Sequence, residues 1–85
     1  MEIIIEPHTL DRALERGASK EEIIDTLSSG TPIEAKKNRK AKTKTFEYNK
    51  ERNGKHYPHK KLEVYYIIEN NKIITVTVYT FYGKF

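Results

Sequence analysis

Two runs rich in Val, Ile, Thr, Tyr and Phe flank Glu69-Asn70-Asn71-Lys72 within Leu62–Phe85, LEVYYIIENNKIITVTVYTFYGKF. β-branched and aromatic side chains suit a pleated, half-buried surface. Asn accepts the left-handed backbone that a tight hairpin turn needs. The stretch therefore predicts a β-hairpin, and the rest of the chain has to cover one of its faces. Two registers compete. A two-residue loop sets Leu62, Val64, Tyr66 and Ile68 beside Ile73, Thr75, Thr77 and Tyr79. A three-residue loop matches them with Ile74, Val76 and Val78. A one-residue slip moves every side chain to the other face. The second register collects a nearly pure aliphatic face and is preferred. It leaves Glu63, Tyr65, Thr75, Thr77 and Tyr79 together on a more polar face.

With 85 residues, the chain forms one domain spanning residues 1–85. A chain of this size buries roughly 60–65% of its unfolded surface, enough for one modest core. Cysteine is absent, which excludes a disulfide framework and a thiolate metal site. No apolar run approaches the roughly 20 residues of a membrane span, and Glu2 and Glu6 bracket only three isoleucines, unlike a signal peptide. The expectation is a soluble, cytoplasmic protein.

The elements can be read from local chemistry. Glu2–Glu6 is a short apolar strand. Pro7 favours a helix start. His8–Arg16 forms a first helix with Leu10, Ala13 and Leu14 as its apolar stripe, and Gly17 stops it. Ser19 and Glu22 make a capping box for a second helix running to Ser28, with Ile23, Ile24 and Leu27 buried. Thr43–Tyr48 alternates as a strand, and Asn53-Gly54 is a turn. The order β-α-α-β-β-β-β implies an α+β fold. Its two N-terminal helices would pack on one face of a four- to five-stranded, mainly antiparallel sheet.

Charge is unevenly distributed. Residues 1–35 carry net −5, residues 36–61 net +9, and residues 62–85 net zero. A basic band beside an acidic helical layer attracts a polyanion to one side. The band holds Lys36, Lys37, Arg39, Lys40, Lys42 and Lys44, then Lys55, Lys60 and Lys61, with Phe46, Tyr48 and Tyr57 interleaved. Phosphates attract such cations, and unstacked bases lie on such rings. The plain alternative is a lysine-rich surface. His8, Arg12 and Arg16 recur every four residues and share a helix stripe suited to phosphate. A solvated helix face would look the same. Glu63, Thr77 and Tyr79 combine a carboxylate with hydroxyls, as acid–base chemistry requires and as an ordinary sheet face also offers. His56 and His59, with His8, match no zinc pattern, so no metal and no cofactor is expected. Neither a phosphate-binding glycine loop nor a serine-nucleophile motif is present.

The pattern His8-x3-Arg12-x3-Arg16-Gly17-x-Ser19-x2-Glu22 resembles small prokaryotic proteins grouped near RelE-like toxins. So do Lys37-x-Arg39 followed by Phe46, Tyr57-x2-Lys60-x-Leu62-Glu63-Val64, and Ile74-Thr75-Val76-Thr77-Val78-Tyr79. The resemblance spans most of the chain and implies a compact barnase–EndoU–colicin–RelE fold. It also implies a metal-independent ribonuclease toxin paired with an antitoxin. By motif position it carries over His8, Arg12, Arg16, Arg39, Tyr57, Lys60 and Glu63. The C-terminal catalytic histidine of such nucleases is missing; the last polar aromatic residue is Tyr82.

On this reading RNA supplies its own 2′-hydroxyl nucleophile. Glu63 or His8 is the base, Arg12, Arg16 and Arg39 clamp the phosphate, and Tyr79 or Tyr82 is the acid. Lys37, Lys40, Lys42, Lys44, Tyr57, Lys60 and Lys61 hold the strand, which is free or ribosome-bound. Two alternatives stay open. One is a non-catalytic RNA- or ribosome-binding module. The other is a protein-interaction partner docking an acidic antitoxin segment.

Overall fold

Asn70 and Asn71 both take left-handed backbone, with φ of 48° and 62°. They close the hairpin as a two-residue loop. A computed structural model describes residues Met1–Phe85. In chain order it contains β1 (Glu2–Ile4), α1 (Pro7–Glu15), α2 (Lys20–Ser29), β2 (Thr31–Ile33), β3 (Lys40–Arg52), β4 (Lys55–Glu69) and β5 (Lys72–Gly83). The fold is α+β, with a five-stranded sheet in the order β1-β5-β4-β3-β2. β1 runs parallel to β5, and the other pairs are antiparallel.

The β4–β5 hairpin uses both candidate registers. Next to the turn, Ile68 faces Ile73 and Tyr66 faces Thr75, as the two-residue loop dictates. A bulge then inserts Val76, and beyond it Tyr65 faces Thr77, Val64 faces Val78 and Glu63 faces Tyr79. The preferred three-residue register is thus corrected near the turn and holds beyond the bulge. Thr75 moves with that correction. It is 1% exposed, opposite Tyr66 on the core side, where its Oγ1 accepts the Glu6 N–H at 3.1 Å. That bond satisfies two polar groups that burial would otherwise leave unpaired.

The helix ends follow their local chemistry. Pro7 opens α1, and Ser19 and Glu22 form the full capping box of α2. Gly17 follows α1 with φ +86°. Its carbon approaches Tyr82 so closely that an added Cβ would collide with the hydroxyl, so only glycine fits both the angle and the space.

The expectation of two N-terminal helices laid together on one sheet face needs correcting. β1 comes first and joins the sheet, and the helices divide the sheet between them: α1 lies along β5, and α2 lies over β4 and β3. The helix stripes also shift. Leu14 is 56% exposed, whereas Thr9 and Ala13 are buried. In α2 the buried set is Ile23, Thr26 and Leu27, while Ile24 is exposed. The reason is polar. Thr9 donates to the Val76 carbonyl at 3.2 Å, and Arg16 donates to the Val78 carbonyl at 2.8 Å. β1 pairs only with Lys72–Ile74, so α1 uses side chains to satisfy the sheet edge that β1 leaves bare.

One core results, built from Ala13, Ala18, Ile23, Leu27, Leu62, Val64, Tyr66 and Val78. β3 and β4 run on past it to the Asn53-Gly54 turn, where both residues have positive φ. A second bulge at Tyr48-Asn49 lets β3 continue well beyond the expected Thr43–Tyr48. No helix is long and apolar enough to cross a membrane.

Candidate functional site

Side chains alternate across a strand, so the neighbours of the core residues point away from the helices. Two rows cross three strands there. Thr43 pairs with Glu63 and Glu63 with Tyr79; Ala41 pairs with Tyr65 and Tyr65 with Thr77. The β2–β3 loop, turned by a left-handed Lys37 at φ 61°, stands beside these rows. Glu34, Lys36, Lys37 and Arg39 of the loop enclose a cleft of about 440 Å³ with Tyr65, Thr77 and Tyr79.

A guanidinium from outside the cleft lining, that of Arg16, also stands near Tyr79. The Tyr82 hydroxyl donates to the Arg16 carbonyl at 2.7 Å. The Arg16 side chain, bonded to the Val78 carbonyl, then holds its guanidinium 5.7 Å from the Tyr79 ring centroid. Tyr79 is 44% exposed and meets Tyr65 edge-on at 5.7 Å. Tyr65 in turn donates to Glu63 Oε1 at 3.2 Å. Burial first, then the charge of Glu63, pushes the Tyr65 hydroxyl above the ordinary tyrosine range. Tyr65 therefore holds its proton and serves as a hydrogen-bond donor to Glu63. The face and its bordering loop combine two carboxylates (Glu34 and Glu63), two guanidiniums and two tyrosine rings.

The basic band divides between the two sides of the sheet. Lys42 Nζ donates to the Leu27 carbonyl at 2.9 Å, near the end of α2 where helix carbonyls lack partners. Lys44 bonds Asp25 at 2.7 Å and Ser29 at 2.8 Å. Asp25 accepts from Lys44 and also from the Ser29 hydroxyl at 2.9 Å, and these two bonds, Lys44 first, hold its carboxyl below its usual range. Lys60, 7% exposed, bonds Glu22 and the Gly17 carbonyl. Lys40 pairs with Tyr66 and is exposed. Lys44 and Lys60 therefore neutralise Asp25 and Glu22 of the acidic helical layer, and Lys42 caps a helix carbonyl.

Of the residues expected to act, Arg16 stands over the Tyr79 ring, Glu63 pairs across from Tyr79, and Arg39 and Lys37 line the cleft that Tyr79 also lines. Lys61 lies on the same open side. His8 and Arg12 are exposed on α1, eight and four residues before Arg16. Tyr57 packs on Tyr82 at 5.8 Å, beside Tyr48 and under the reach of Arg52. Tyr82 thus works within the fold. Tyr65 and Phe81 also stand on this face without having been singled out as candidate site residues, although alternation from Tyr79 along β5 marks Phe81 directly.

No protein-family model matches the chain, and no curated protein and no solved structure matches it either. The likeness to RelE-like proteins rests on the sequence motifs alone.

Proposed function

We propose that the chain is a small ribonuclease that takes single-stranded RNA across the open sheet face and cuts it by 2′-hydroxyl attack. The observation supporting this is the position of Tyr79, which lines one cleft with Arg39, has the Arg16 guanidinium 5.7 Å from its ring, and lies directly across the strands from Glu63. In this reading Glu63 takes the 2′-hydroxyl proton. The freed 2′-oxygen attacks phosphorus and forms a cyclic phosphate. Arg16 and Arg39 stabilise the charge on the phosphorane. Tyr79 donates a proton to the leaving 5′-oxygen. Directly opposed cross-strand residues have Cβ atoms about 5 Å apart, a spacing that lets two groups flank one phosphate. The resemblance adds a toxin role, restrained by a protein partner.

Incubation with total RNA in EDTA tests the reading. Wild type cleaves, and Glu63→Gln loses about 10²–10⁴-fold while still binding. Loss below tenfold removes Glu63 as the base. Arg39→Ala weakens binding and flattens its salt dependence.

A second reading has one observation in its favour: the Glu63 carboxylate already accepts a bond from Tyr65. A non-catalytic RNA-binding module needs that pair only as support. RNA bound but never cut by wild type selects it.

A further inference from the structure

The open face continues past the cleft along β5. Phe81 lies two residues beyond Tyr79 on the same side, so their anchor points are about 7 Å apart. Phe81 pairs across the strands with Lys61. Phe85 folds back over the sheet. Its N–H donates to His59 Nδ1 at 3.0 Å, and its ring rests where a side chain on Gly83 would crowd it. Lys61 Nζ stands 5.5 Å from the Phe81 ring centroid and 4.5 Å from that of Phe85. Both rings are open to solvent, at 41% and 51% exposure. Lys61 has no carboxylate partner, unlike Lys44 and Lys60. Two phenyl faces and an unneutralised ammonium therefore lie one step along the strand from the cleft.

We propose that Lys61, Phe81 and Phe85 form a second nucleotide subsite for single-stranded RNA, a proposal that rests on the RNA reading of the cleft. A base stacks on a phenyl face, and its phosphate meets the Lys61 ammonium. Phenyl rings offer no hydrogen bonds, so the subsite accepts any base. It rejects duplex, whose bases stay stacked on one another. The charge balance agrees: Lys61 and the loop cations outnumber the carboxylates on this side, as a phosphate chain requires.

The test uses fluorescence anisotropy with 2′-O-methyl oligouridylates, which have no free 2′-hydroxyl and stay uncut. One probe is a dinucleotide that fills only the cleft; the other is long enough to reach Phe85. Wild type binds the longer probe more tightly. Replacing both rings by Phe81→Leu and Phe85→Leu keeps apolar packing but removes the stacking faces. This double variant loses about fivefold to a hundredfold on the long probe and nothing on the dinucleotide. Lys61→Met lowers the salt slope for the long probe by about one. If the leucine variant and Lys61→Met both bind the long probe as wild type does, while Arg39→Ala weakens it, the subsite is overturned and the cleft stands. If wild type binds neither probe, the RNA reading itself falls and the subsite with it.

Discussion

The Tyr82 hydroxyl donates to the main-chain carbonyl of Arg16 at 2.7 Å, tying β5 to the residue that ends α1. Tyr82→Phe deletes this bond and costs about 0.5–1.5 kcal/mol, read as a lower melting temperature. Tyr82 also sets an alkaline limit. Burial pushes the Tyr82 hydroxyl above the ordinary tyrosine value; Arg52 opposes this, and Tyr48 and Glu22 add to it. A raised pKa means that the folded chain holds the proton more tightly than the unfolded chain. This contribution is complete below about pH 10 and is lost as pH rises through the folded-state value. Stability measured across that range should fall less steeply in Tyr82→Phe than in wild type.

Gly17 faces the same hydroxyl. At φ +86°, with Tyr82 in the way of any Cβ, Gly17→Ala should cost about 1–3 kcal/mol from backbone strain alone, with the clash in addition. Combining it with Tyr82→Phe removes the hydroxyl and relieves the clash but not the strain. Denaturant melts of the two single variants and the double variant should therefore be non-additive, with the double less destabilised than the sum.

Lys60 and Lys61 are neighbours in the chain and opposites in role. Lys60 is buried against Glu22 and the Gly17 carbonyl, so Lys60→Met should cost about 2–3 kcal/mol. That is below the full cost of breaking a buried pair, because Glu22 keeps some water. Its salt dependence of RNA binding should stay unchanged. Lys61→Met should show the reverse: unaltered melting, and a salt slope lower by about one. Equal effects of the two variants on RNA binding would contradict the division of the basic band between two sides.

Thr80 Oγ1 is buried without a hydrogen-bond partner. Thr80→Val keeps the shape and removes an unsatisfied hydroxyl, so it should stabilise the fold by about 1 kcal/mol. In a domain of this size the melting temperature should rise by about 4–8 °C.

What could be read from the chain was the chemistry that acts over a few residues. Pro7, Gly17 and the Ser19–Glu22 pair mark the helix ends because capping groups lie within one turn of each other. Asn70-Asn71 and Asn53-Gly54 mark the turns because positive φ selects those residues. The bulge at Val76 left no such mark. Each half of the hairpin satisfied one register, and a bond from Glu6, far away in the chain, holds Thr75 on the core side. The lysines were ambiguous for the same reason. Lys42 reaches Leu27, and Lys44 reaches Asp25, only once the sheet has formed. In sequence they look the same as Lys61. Residue type alone marks Arg16, Arg39, Glu63 and Tyr79 as candidates; the cleft that Arg39 and Tyr79 line carries no mark, because a polar loop does not announce which sheet face it borders.

The Val76 bulge separates two jobs that a regular strand would combine. Delete that residue and every inter-strand pair on either side of it could still form, with each side chain on its present face. What would vanish is one carbonyl aimed sideways at Thr9. The extra residue is thus a fastening point for the first helix rather than part of the weave. Because Arg16 is carried on the end of that helix, loosening the fastening would be felt at Tyr79 while the sheet beneath it stayed whole.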